Sequence, residues 1–258
     1  MKRILKILAG TIAACGVAVL IYVVSLKQEE VKCIGMRISI DYPEQDIFIE
    51  KSEIEELVKT TYGNIYSVAI NVISTEKLEN LFLQNPYIRS ANVYANIQGE
   101  LIIDIEQRQP IFRLEMPKGS FYVDNYGSYM PLSPQYISRL VIVSGYLKSI
   151  DINNEKGLNQ SDQAENSDIT SIIEMVKFIR KDSFLSALIE QIYINKDKEI
   201  ELIPKLGKQY ILLGKAEQFE EKLNKLQLFY EQGMPINGWD AYEVINIKFK
   251  NQVVCTKI

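Results

Sequence analysis

The chain has 258 residues, 47% hydrophobic and 24% charged, with a formal net charge of −4 and no histidine. That length supports one or two small domains, and the usage is globular. The acidic balance, with both signs interspersed, excludes a phosphate-tracking nucleic-acid partner. The absence of histidine excludes Ser-His-Asp and Cys-His catalysis and imidazole metal ligation.

Residues 1–6 carry Lys2, Arg3 and Lys6, and no charge follows from Ile7 to Leu26. Twenty uncharged residues at about 1.5 Å rise cover roughly 30 Å, the thickness of a bilayer core. The pattern predicts a transmembrane helix over 7–26 behind a cytoplasmic tail of residues 1–6. The leading basic residues place the N-terminus inside and the bulk of the chain outside the cytoplasmic membrane. Ile12-Ala13-Ala14-Cys15 looks like a lipobox, but the run stays apolar through Val24, where a lipoprotein or a cleaved signal peptide would turn polar. The other two cysteines, Cys33 and Cys255, could form a disulfide in an oxidising compartment, or serve as small hydrophobes in strands.

A block over 33–107 follows. Ile34, Met36, Ile38 and Ile40 alternate as in a strand. Ser52-Glu53-Ile54-Glu55 resembles a capping box before a helix that stops near Gly63. Ser74-Thr75-Glu76-Lys77 opens a second helix, ending before Asn85-Pro86. Two strands follow around Val93 and Ile103, joined at Gln98-Gly99. The order β-α-α-β-β predicts two helices on one face of a sheet.

The second block, 108–258, opens at Arg108-Gln109-Pro110. Strands at Phe121–Asp124 and Tyr129–Leu132 flank Asn125-Tyr126-Gly127, a hairpin turn with Gly where positive φ is expected. Asp124 reads as a turn residue and Arg108 as a solvated charge or a pin at the joint between blocks. A short apolar run, Leu140–Val143, precedes a polar insertion over 151–168, where Asn159-Gln160-Ser161 matches the glycosylation pattern. Helical spacing runs from Ile169 to Ile179 and on through Phe184 to Ile189. Strands at 192–194, 200–203 and 210–213 lead to an amphipathic helix with Phe219, Leu223, Leu226 and Tyr230, closed by Gly233. Trp239 reads as a core plug or an interface anchor. Two last strands are expected over Tyr242–Phe249 and Val253–Thr256. Along the first, Ile245, Ile247 and Phe249 share one face. The fold class is α+β: a transmembrane helix, a β-α-α-β-β domain, then a mixed β-rich domain with flanking helices.

These features in this order resemble the FtsQ/DivIB family of bacterial cell-division proteins. The resemblance rests on the basic N-terminus, the single anchor, and a first block similar to a POTRA domain. Local stretches carry it further: Leu83-Gln84-Asn85-Pro86-Tyr87-Ile88, Glu106-Gln107-Arg108-Gln109-Pro110-Ile111, Phe121–Asp124, Met130-Pro131-Leu132-Ser133 and Ile245–Gln252. It implies a non-enzymatic scaffold at the division septum, without cofactors or metals. Its partners would be FtsB/DivIC-like and FtsL-like single-pass proteins and other membrane proteins of the division machinery. In such proteins an exposed edge of the C-terminal β domain accepts a partner strand. Carried over by position, the contacts are Asn246, Ile247, Lys248 and Phe249, with Arg108 and Pro110 at the domain joint. This chain departs from the pattern at Val254 and Cys255, where a second aromatic is expected. Two other classes compete. A POTRA-type envelope biogenesis or secretion component would carry tandem repeats or long barrel strands, and a two-carboxylate wall hydrolase would pair its acids in a cleft. Here neither repeats nor a paired-acid motif stands out.

Overall fold

The computed structural model describes residues 12, 14–22, 31–44, 46–117, 119–134, 136–147, 167–234, 238 and 241–258. The expected transmembrane span over 7–26 falls only partly within these. Ile12 and residues 14–22 are helical with exposed side chains, and among the described residues no helix is long and apolar enough to cross a membrane. Trp239 and the insertion up to residue 166 lie outside the described residues. The chain divides into two compact units, Met1–Gln107 and Arg108–Ile258.

In the first unit, β1 (Gly35–Asp41), α1 (Lys51–Tyr62), α2 (Thr75–Phe82), β2 (Ile88–Ala95) and β3 (Glu100–Gln107) follow in that order. The sheet runs β1-β3-β2, with β1 parallel and β2 antiparallel to β3. Period-2 alternation decides its faces. Leu101, Ile103 and Ile105 of β3 are buried together with Ile38, Ile40 and Val93. Ile54 and Val58 of α1 and Leu78 and Phe82 of α2 are likewise buried, and the helices pack on β1 and β2. The opposite face carries ion pairs Arg37–Glu100, at 3.0 Å, and Arg89–Glu106. Ser74 caps α2 as its sequence suggests, its hydroxyl accepting from Lys77 N–H at 3.2 Å. The cap of α1 is Glu50 rather than Ser52. The Glu53 carboxylate accepts from the Glu50 N–H, and Ser52 donates to the Glu50 carboxylate from inside the helix. Gln107 is buried because its amide serves two backbone groups, accepting from Phe48 N–H at 2.7 Å and donating to the Asp46 carbonyl at 2.8 Å.

The second unit is a nine-stranded mixed sheet. Its strands are β4 (Pro110–Met116), β5 (Gly119–Asp124), β6 (Tyr129–Pro131), β7 (Val141–Gly145), β8 (Ile189–Ile194), β9 (Ile200–Pro204), β10 (Tyr210–Gly214), β11 (Tyr242–Asn246) and β12 (Val254–Lys257). They lie in the order β12-β11-β10-β9-β8-β7-β4-β5-β6. The pairs β4/β7, β7/β8 and β10/β11 are parallel and the remaining five antiparallel. Helices α3 (Ser167–Lys181), α4 (Ser183–Leu188) and α5 (Phe219–Gln232) share one apolar core with the sheet. Met175, Ile179, Leu185, Leu223 and Leu226 are fully buried there against strand residues such as Phe112, Ile192, Ile211 and Ile245. Two expected elements differ. The helical face from Phe184 breaks at Ile189, which begins β8, because Asp182 caps a separate short helix by accepting from Leu185 N–H at 2.8 Å. The strand expected to reach Phe249 ends at Asn246.

Candidate partner-binding edge

β12 closes one end of the large sheet, paired antiparallel to β11 on one side, Asn246 to Val254 and Tyr242 to Lys257. Among the described residues no strand pairs with its other side. The opposite end of the sheet is β6, three residues long and finished by Pro131, which cannot donate to a ladder. The two edges therefore differ chemically. β12 offers main-chain donors and acceptors, with Val254 45% and Ile258 76% exposed beside it.

The four residues carried over from the family pattern do not lie along this edge. Asn246 ends β11, one strand inward, and its side-chain oxygen accepts from Lys248 N–H at 3.0 Å, turning the chain out of the sheet. Ile247 is fully buried, and its N–H donates to the Leu212 carbonyl at 2.9 Å. Lys248 reaches back to the Glu199 carboxylate at 3.0 Å. Its path passes Gly214, whose φ is +77° and where a Cβ would stand 2.6 Å from Lys248 Cδ. Phe249 is 47% exposed, and of the four it alone presents a large apolar surface.

The turn after β11 is held from below. Lys225 of α5 donates through Nζ to the Ile247 carbonyl at 2.9 Å and to the Phe249 carbonyl. Burial lowers the pKa of this ammonium, with Lys222 nearby acting in the same direction. Cys255 packs partly against the core, and burial pushes its thiol pKa up. Cys33 and Cys255 are free thiols. Val254 is singled out in the sequence only as a departure from the family pattern, and Lys225 and Ile258 escape sequence reading. The signal for these two is no more than a terminal apolar residue and a lysine on a helix whose neighbour in space is unknown beforehand.

Arg108 and Pro110 stand at the start of the second unit. Arg108 is not a freely solvated charge: its guanidinium donates to the buried Asp124 carboxylate at 2.9 Å and to the Ser128 hydroxyl at 3.0 Å. The other Asp124 oxygen accepts from Tyr126 and Ser128 N–H, and Gly127 adopts φ +82°, so Asp124 is a turn residue. Pro110 opens β4 opposite Asp124. Among the described residues no group of three His, Cys, Asp or Glu side chains is placed to hold a metal ion.

Residues 109–256 match the family model described as FtsQ/DivIB, C-terminal related, and residues 31–106 match a POTRA-like domain. The chain is 25% identical over 210 residues to the cell division protein DivIB of Clostridium tetani (strain Massachusetts / E88), an alignment covering 79% of this chain and 74% of that protein. The C-terminal match spans more than half of the 258 residues and coincides with the nine-stranded unit, so the chain belongs to the FtsQ/DivIB family of cell-division proteins.

Proposed function

We propose that the chain is a non-enzymatic, single-pass scaffold of the division machinery that offers the outer edge of β12 to an extended segment of an FtsB/DivIC-like partner, itself paired with an FtsL-like protein. The observation that carries this reading is the asymmetry of the sheet ends, β6 being closed by Pro131 and β12 bordered, among the described residues, on one side alone. An unpaired edge binds through main-chain hydrogen bonds, and alternate side chains select the partner. Phe249 contacts the partner beside Val254. Asn246, Ile247 and Lys248 act as the frame that turns Phe249 outward. Arg108 and Pro110 fix the direction in which the chain enters β4 at the joint between the domains. The apolar segment over 7–26 anchors the chain in the cytoplasmic membrane, N-terminus inside, at the septum. No observation favours the biogenesis alternative in which the POTRA-like unit handles client strands.

Co-purification of the full chain with FtsB/DivIC-like candidates tests this. Phe249→Glu and Val254→Glu place charges at exposed positions, and each is expected to weaken capture at least about tenfold, roughly 1.4 kcal/mol. Wild-type capture by both variants would remove the β12 edge from the proposal.

A further inference from the structure

The POTRA-like unit has one end with almost no charge. Three segments meet there by hydrogen bonds: Cys33 N–H donates to Val68 O at 3.0 Å, Ile70 N–H to Val31 O at 2.9 Å, and Ile34 N–H to Gly99 O at 2.9 Å. At this end residues 62–75 and 94–99 contain no charged side chain, and residues 31–36 contain only Lys32. In a chain that is 24% charged, those 26 positions would ordinarily hold several acids and bases. Charges border this end rather than fill it: Arg37 and Glu100 form an ion pair, and Lys77, in the first turn of α2, lies over the Tyr62 ring.

The same end carries exposed apolar side chains. Ile97, at the tip of the turn between β2 and β3, is 90% exposed, with Ile34 at 68%, Val72 at 63% and Tyr66 at 55%. The turn is built to present it. Asn96 accepts through its side chain from Gln98 and Glu100 N–H, and Gly99 sits at φ +90°, where a Cβ would stand 2.8 Å from the Lys32 carbonyl. An apolar tip held by a defined turn marks a surface that meets something apolar.

Chain length says what that is. The predicted span ends at Leu26, and Val31 is already hydrogen-bonded into this end. Five residue steps reach at most about 18 Å when fully extended. We propose that this end of the unit rests on the outer surface of the cytoplasmic membrane, Ile97 entering the boundary between headgroups and acyl chains and Tyr66 lying at headgroup level. Tyrosine suits that level because its ring is apolar and its hydroxyl is wet. The inference rests on the membrane-anchor reading of residues 7–26.

The full chain, reconstituted into phosphatidylcholine and phosphatidylglycerol vesicles with or without brominated acyl chains, provides the test. The wild type, with Trp239 as its one tryptophan, sets the background emission. Ile97→Trp adds a probe at the tip. Ile47→Trp adds a control at the opposite end of the unit, where Ile47 is 49% exposed beside the segment held by Gln107. The added emission of Ile97→Trp is expected to fall severalfold with brominated lipid while that of Ile47→Trp is unchanged. Equal behaviour of the two probes, both quenched or neither, would overturn the proposal, and absence of quenching in both would leave the apolar tip to a protein partner. Failure of the wild type to float with the vesicles after an alkaline carbonate wash would remove the anchor reading itself, and this inference with it.

Discussion

The Asp124 carboxylate is almost wholly buried, and it accepts from the Arg108 guanidinium and from two backbone N–H groups of the β5–β6 turn. Asp124→Ala leaves Arg108 without its charge partner and two turn amides without an acceptor. Because Arg108 keeps 24% side-chain exposure, the loss is expected at about 2–3 kcal/mol, below that of a fully buried pair. Faster hydrogen exchange across residues 119–131, with exchange in β1–β3 unaltered, is the expected readout. Tyr129 presents the opposite case: its hydroxyl is buried with no hydrogen-bond partner among the described residues. Tyr129→Phe removes that polar group and is expected to be neutral or stabilising by about 1 kcal/mol in urea titrations. Burial raises the pKa of Tyr129 and of Tyr230, although the Tyr230 hydroxyl also accepts from the Gln209 side-chain N–H at 3.1 Å, which acts the other way. Above about pH 10 the unfolded chain releases protons that the folded one keeps, so this contribution is full below that pH and is lost as pH rises. Urea midpoints should therefore fall on the alkaline side, and less steeply in Tyr129→Phe.

At the scale of elements, Gly145 decides how closely β7 approaches β8. Its φ is +109°, and a Cβ there would lie 2.0 Å from the Ile194 carbonyl oxygen. Gly145→Ala must move one of two paired strands at the centre of the sheet. A loss of about 3 kcal/mol or more is expected in thermal or urea unfolding, where a surface Gly→Ala change would shift little. Ser144-Gly145 is visible in the sequence as the end of an apolar run, but not as a close approach, since its neighbour comes from residues about fifty positions later. The same contrast runs through the whole fold. In the first unit, Ser74 as a cap, Gly63 as a stop and the alternation along β3 are local signals, and they give the β-α-α-β-β order. At the C-terminus the alternation of Ile245, Ile247 and Phe249 is genuine in pattern yet misleading in geometry. Asn246 bends the chain after β11, Ile247 enters the core, and Phe249 goes to solvent. Nor does alternation reveal that β11 pairs parallel to β10 through the crossover helix α5, which leaves β12 at the end of the sheet. Lys225 on that helix ties the two facts together. Lys225→Met should free the Ile247 and Phe249 carbonyls, raise hydrogen exchange over 247–253 severalfold, and weaken partner capture without altering exchange in β8 and β9.

For the whole molecule, anchor and binding edge make separable contributions to the proposed scaffold. An edge strand of four residues supplies few hydrogen bonds, so its affinity for a partner segment in free solution is modest. Confining the chain and a single-pass partner to one membrane raises their effective concentration, and can strengthen pairing by roughly 10²–10⁴ without any new contact. On the proposed reading residues 1–26 confine and orient the chain, which depends on apolar length and leading basic charge rather than on particular side chains. A chain whose first 26 residues are replaced by an unrelated apolar anchor with a basic N-terminus is expected to restore division in depleted cells and to carry a fluorescent fusion to the septum. The same chain exported behind a cleaved signal is expected to fold but to leave the cells filamentous, with the fusion dispersed. A third chain combines the foreign anchor with Val254→Glu. It is expected to remain membrane-bound and fail to divide the cells, which separates loss of the edge from loss of confinement. Full rescue by the exported chain would show that confinement contributes nothing, and rescue by the third chain would show the same for the edge.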